Sequence, residues 1–107
     1  MTTIPLGDGA EFDRIREIAA TLGAAAGPLG DDTAPIPSGR GTLVVSTDVS
    51  VEGVHFRREW LTPIEIGWRA TASALSDLAA AAAAPAGITV AVVLPPSWPE
   101  ETLPALM

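Results

Sequence analysis

Cysteine is absent from the 107 residues, and so is lysine. Without cysteine there is no disulfide staple and no thiolate metal site, which fits a reducing compartment. Without lysine, the fixed positive charge rests on six arginines, and the net charge is −7. Binding a nucleic-acid backbone needs a basic face, so no nucleic-acid partner is expected. A long uninterrupted apolar run is also missing. The alanine-rich stretch from Ala70 to Ala86 follows Arg69, contains Asp77 and is broken by Pro85, so no membrane span is expected. The opening MTTIPLGDGAEF has neither the basic start nor the apolar run of a signal peptide. A soluble, cytoplasmic protein is the expectation. An acidic chain can still hold phosphorylated ligands where divalent cations bridge the two.

The length suits one domain with a modest core. EFDRIREIAATL, residues 11–22, predicts a helix, with Phe12, Ile15, Ile18, Ala19 and Leu22 on one face and Gly23 as the stop. Residues 23–41 are rich in glycine and proline and predict a loop. TLVVSTD, residues 42–48, and GITVAVVLPP, residues 87–96, predict buried strands. Between them, Thr62-Pro63-Ile64-Glu65 places a capping threonine, a proline at the first helical position and a glutamate three residues after the cap. That helix is expected to run to about Ala84, apolar nearly all round and buried on two sides, with an ion pair between Glu65 and Arg69. SWPEETLPALM can begin a further helix. The order helix, loop, strand, long helix, strand predicts an α+β fold, a mixed or antiparallel sheet covered by the long helix. The three tryptophans are expected as packing anchors.

Several polar positions stand out against this pattern. Asp31 and Asp32 sit in LGDDT, Asp48 ends the first predicted strand behind Ser46 and Thr47, and Asp77 lies among alanines. Oxygen ligands from separate segments suit magnesium, which keeps waters and substrate phosphates in its shell. Each residue also has a plainer role. Asp31 and Asp32 can form turns, and Asp48 can cap one. Asp77, if buried, needs some partner for its charge. His55, the single histidine, can be a structural hydrogen-bonding group. Gly53, two residues earlier, is expected in a conformation that other residues avoid.

In order, LGDDTA, LVVSTDVSVEGVHF and TPIEIGWRATASALSDLAAAAAAP resemble the N-terminal half of the thiamine-monophosphate kinase family. EF-x-x-IR-x-IA resembles that family's opening helix, and the likeness runs from about Glu11 to Pro96. The family sits in the superfamily of aminoimidazole ribonucleotide synthetase and selenophosphate synthetase, whose members use ATP. The resemblance implies ATP-dependent phosphorylation of thiamine monophosphate to thiamine diphosphate with several magnesium ions. It implies that Asp32 holds magnesium near the nucleotide phosphates, that Ser46 and Thr47 add ligands, and that Asp48 and Asp77 bridge ions. His55 would contact the substrate. No covalent phosphoenzyme and no histidine nucleophile are expected. Placing the phosphates of ATP and substrate side by side needs charge neutralisation and in-line geometry more than covalent help.

The chain departs from the family at Ala74, where asparagine is usual, at Arg69, where lysine is common, and at Ala81 and Ala82, where Met-Gly often stands. The family chain is roughly three times longer, with a GGD segment for ATP and a C-terminal domain that this sequence lacks. The expectation is therefore a single truncated N-terminal domain over residues 1–107, inactive alone and pairing as a homodimer through its sheet. Two alternatives remain: another ATP-using member of the superfamily, or a non-catalytic dimerisation domain. The absence of cysteine and of a nearby lysine in the N-terminal loop argues against selenophosphate synthetase.

Overall fold

The computed structural model describes residues 8–27 and 33–107. Helix α1 spans Ala10–Leu22. Phe12, Ile15, Ile18, Ala19 and Leu22 are half-buried along one side, as the spacing predicts. On the outside, Arg14 pairs with Glu17 at 3.2 Å and Arg16 with Asp13 at 2.7 Å. Gly23 ends the helix with φ 55, in the region where only glycine avoids a steric cost. One 3₁₀ turn, Gly23–Ala26, follows where plain loop was expected.

Helix α2 spans Pro63–Ala80. Its start follows the sequence signal: the Thr62 side chain accepts from the Glu65 N–H, and the Glu65 carboxylate accepts from the Thr62 N–H. These bonds satisfy backbone donors that a helix start leaves open. They also hold the Glu65 carboxyl below its usual range, the Thr62 N–H first and the Thr62 hydroxyl second.

The end of α2 corrects the expected boundary near Ala84. The Ala82 N–H turns back to the Ala79 carbonyl and the Ala83 N–H to the Leu78 carbonyl, closing the last turn early. This closure puts Ala82 at φ 54, a left-handed conformation in which a Cβ costs about 1–2 kcal/mol. Ala82 stands where the resemblance expects glycine. Ala82→Gly should therefore stabilise the chain by about 1 kcal/mol, read as a higher denaturation midpoint. An unchanged or lower midpoint would show that the Ala82 strain is relieved elsewhere.

Helix α3, Thr102–Leu106, packs against both α1 and α2. Pro104 falls in its first turn, where the missing N–H has no helical partner to lose. Ile66 of α2 with Thr102 and Leu103 of α3 are the buried residues among those described, at 6%, 4% and 5% exposure. At the same junction Gly67 meets the Leu106 backbone.

Burial of α2 differs from the expectation of a helix covered on two sides. Ile66 is buried and Gly67, Ala70, Ala74 and Leu78 are half-buried, while Ser73 and Asp77 are exposed and tied to residues 46–48 by single hydrogen bonds. Ile64 and Trp68 are 69% and 73% exposed. Among the larger apolar side chains of this helix, Ile66 is thus buried and Leu75 and Leu78 are half-buried, while Ile64 and Trp68 face solvent.

The predicted sheet is overturned. No strand is formed among the described residues, and the single isolated bridge joins Glu52 to Phe56. Residues 42–48 and 87–96, predicted as strands, carry no ladder. A β-branched, apolar stretch suits a pleated, half-buried surface, but a strand exists only where a second backbone accepts and donates its hydrogen bonds. These two segments do not supply that partner to each other. Val45, Ile88, Val90 and Val93 are exposed as a result. The fold is therefore helices and irregular chain, and a sheet covered by a long helix does not describe it. None of the helices of the described residues is long and apolar enough to cross a membrane.

Candidate functional site

Two tethers tie residues 46–48 to α2. Ser46 Oγ donates to Asp77 Oδ2 at 3.2 Å, and Ser73 Oγ donates to Asp48 Oδ2 at 2.8 Å. Residue numbers rise along one partner as they fall along the other, so the segment runs antiparallel to the helix. Ser73 and Asp77 are four helical residues apart, about 6 Å along the axis. Two residues of extended chain cover about 6.6 Å. The matching spacings place Ser46 and Asp48 on the helix-facing side.

Asp48 is further held by the Val49 N–H, which donates to its Oδ1 at 2.8 Å. The Ser73 hydroxyl first, then the Val49 N–H, and lastly the His55 imidazole lower its carboxyl pKa below the usual 3.8, while desolvation opposes them. Donors to the charged form favour that form. Ser73→Ala should return the Asp48 titration toward its ordinary range, which carboxyl NMR across acid pH would read. A depressed folded pKa contributes stability above the unfolded value and loses it as pH falls through the folded one. The stability gap between wild type and variant should therefore be present above about pH 4 and close in more acid solution. An Asp48 titration unmoved by the substitution would count against the Ser73 contact.

Asp77 is exposed rather than buried, so the buried-charge argument for a cation falls. What remains is geometry. Ser46, Asp48 and Asp77, three of the five expected metal ligands, meet along one line. Thr47 is not drawn to α2, and Asp32, like Asp31, lies outside the described residues. Among the described residues no three acidic or imidazole groups gather to hold a metal ion. The donors that do meet are all oxygens, with Asp48 held ionised, and that chemistry fits a hard divalent cation. Ser73 was not anticipated from the sequence. Its spacing of four from Asp77 was the available signal, because such pairs share a helix face.

His55 occupies a separate, braced turn. Gly53 sits at φ 81, as expected, and its N–H donates to the Phe56 carbonyl at 2.8 Å. The Val51 carbonyl accepts from the Val54 and His55 N–H groups, and the Val51 N–H donates to His55 Nδ1 at 3.0 Å. With Nδ1 accepting, the neutral ring carries its proton on Nε2. A cavity of about 210 Å³ opens beside it, lined in part by His55, Phe56, Arg57, Trp60 and Arg69.

The arginines here are arranged otherwise than expected. The Glu65–Arg69 pair does not form, since the cap of α2 engages Glu65. Arg57 lies over the Trp60 ring at 5.3 Å, and Arg58 over the Trp98 ring at 4.4 Å. Trp60 and Trp98 therefore carry guanidinium groups, and Trp60 and Trp68 are too exposed to anchor a core.

AIR synthase related protein, N-terminal domain, is the family that matches, over residues 30–107. A thiamine-monophosphate kinase of Synechococcus elongatus is 57% identical over 68 residues, 62% of this chain and 20% of that protein. One from Mycobacterium tuberculosis is 37% identical over 106 residues, 95% of this chain and 31% of the relative. One from Salmonella typhimurium is 43% identical over 86 residues, 78% of this chain and 25% of the relative. The chain thus spans about a third or less of the length of these relatives. No solved structure matches. A match over residues 30–107, which include the tethered serines and aspartates and the braced histidine, shows that the chain belongs to the AIR synthase related protein family through its N-terminal domain.

Proposed function

We propose that this chain is the N-terminal part of an enzyme that phosphorylates thiamine monophosphate to thiamine diphosphate with ATP. The observation that carries the reading is the pair of tethers, Ser46 to Asp77 and Ser73 to Asp48, which ties both carboxylates into the same junction of residues 46–48 with α2 in a chain similar to kinases of that name. Ser46, Asp48 and Asp77 would hold magnesium, with Thr47 and Asp32 as the remaining expected ligands. Bound magnesium would supply neutralisation of phosphate charge. The chain's own part is orientation. The serines hold the carboxylates in place, and the turn around Gly53 presents the Nε2–H of His55 to the substrate.

The complete protein would act in the cytoplasm as a homodimer. Exposed Val45, Ile88, Val90 and Val93 support self-association, which would remove their apolar surface from water. The test is production of thiamine diphosphate from thiamine monophosphate and ATP by the complete enzyme carrying this segment. Turnover dependent on magnesium is the expected result. A preference for another phosphorylated substrate would move the chain to a different ATP-using member of the superfamily.

A further inference from the structure

The turn that carries His55 is closed by bonds of its own. The Gly53 N–H donates to the Phe56 carbonyl at 2.8 Å, the His55 N–H to the Val51 carbonyl at 2.8 Å and the Trp60 N–H to the Arg57 carbonyl at 3.1 Å. Local bonds of this kind fix the shape of a turn but not its place on the rest of the protein. Arg58 makes a contact that leaves the turn. Its guanidinium lies 4.4 Å from the centre of the Trp98 ring, and its Nε is 3.9 Å from Glu52 Oε1. Glu52 belongs to the turn through its bridge to Phe56. Arg58 thus stands between a carboxylate of the turn and an indole of a remote segment.

Trp98 is itself anchored. Its backbone N–H donates to the Pro95 carbonyl at 3.0 Å, and the next turn, closed by the Thr102 N–H on the Pro99 carbonyl at 3.0 Å, leads into α3. Helix α3 packs against α1 and α2 and contributes the buried Thr102 and Leu103. Arg14 of α1 also donates to the Glu100 carbonyl at 3.5 Å. The Trp98 Nε1 is buried with no hydrogen-bond partner among the described residues. An unpaired buried N–H costs free energy, so polar bonding does not account for where the indole sits. Its face, which attracts the cation above it, does. The ion pair with Glu52 adds little, because both side chains are largely in solvent.

We propose that Arg58, seated on the Trp98 ring, is the positioning residue that fixes the His55 turn to the helical core of α1, α2 and α3. For turnover this role rests on the reading of His55 as a substrate contact, but the clamp itself is measured without substrate.

The test is amide hydrogen exchange of the 107-residue chain, read at Gly53, Val54 and His55. Arg58→Ala should speed exchange at these three amides about two- to fivefold, the factor that an exposed cation–π contact carries, and leave the amides of α2 unchanged. Trp98→Leu should also speed exchange at the turn. Trp98→Phe, which keeps a ring face and removes the unpaired N–H, should stay near wild type. In the complete enzyme, Arg58→Ala should raise the KM for thiamine monophosphate by a similar factor and leave the KM for ATP unmoved. A general loss of stability would not split the two substrates in this way.

Unaltered exchange at the three amides in Arg58→Ala would overturn the proposal. So would an equal rise throughout α2, which would make Arg58 a general stabiliser, or equal exchange in Trp98→Phe and Trp98→Leu. Faster exchange at the turn with an unmoved KM for thiamine monophosphate would leave the clamp standing and remove the substrate role of His55. Unaltered exchange in Arg58→Ala beside a raised KM in His55→Ala would keep the substrate role and overturn the clamp.

Discussion

Asp77→Asn is expected to abolish phosphoryl transfer in the complete enzyme that carries this segment. Asparagine keeps the shape of the side chain, and its carbonyl oxygen can still accept the Ser46 hydroxyl that Asp77 Oδ2 accepts at 3.2 Å. What disappears is the negative charge. If Asp77 bridges magnesium ions, rate and metal affinity should fall by at least the roughly 10–100-fold that loss of an outer-shell partner costs a metal site. Stability should hardly move, within about 0.5 kcal/mol, because the group is exposed and already hydrogen-bonded. A gain in stability from deleting a buried charge is not expected, since the charge is not buried. The check is single-turnover transfer from ATP to thiamine monophosphate at graded magnesium, beside a denaturation curve. Activity within a few-fold of wild type at all magnesium levels would sink the metal role of Asp77.

Gly67→Ala should destabilise the chain, against the ordinary helical preference. In an exposed helix interior, alanine is favoured over glycine by about 1 kcal/mol. Here a Cβ on Gly67 would overlap the Leu106 carbonyl oxygen and lie 2.7 Å from its carbon. Those atoms are backbone and cannot rotate aside, so α3 must shift. The shift would loosen the contact that buries Ile66, Thr102 and Leu103. Forcing atoms into a filled site costs about 1–3 kcal/mol, enough to outweigh the gain in propensity. The expected outcome is a lower denaturation midpoint, with the near-ultraviolet signal of the tryptophans altered. A midpoint above wild type would mean that α3 does not rest on Gly67.

Local structure was legible wherever neighbouring residues decide it. The cap at Thr62 and Glu65, the break at Gly23 and the left-handed Gly53 all follow from interactions within a few positions of sequence. The pattern Phe12, Ile15, Ile18, Leu22 fixed both the existence of α1 and its half-buried side. Even the shortened end of α2 had a local trace, since Ala82 stands where the resemblance expects glycine and takes the conformation that glycine takes without strain.

Pairing across the chain was not legible. Val44, Val45, Ile88 and Val90 have the composition of buried strands, but composition reports a surface to be covered and not which backbone covers it. Without a ladder partner these residues stay unpaired and exposed. The side on which α2 is covered was likewise a tertiary matter. Sequence periodicity predicted a helix apolar nearly all round and pointed to burial on two sides, whereas Ile64 and Trp68 face solvent and the close approach of α3 falls at Gly67. The aspartates could be singled out from the sequence alone. Ser73 against Asp48, Ser46 against Asp77, and Arg57 on Trp60 beside the cavity depend on distances that the chain acquires only on folding.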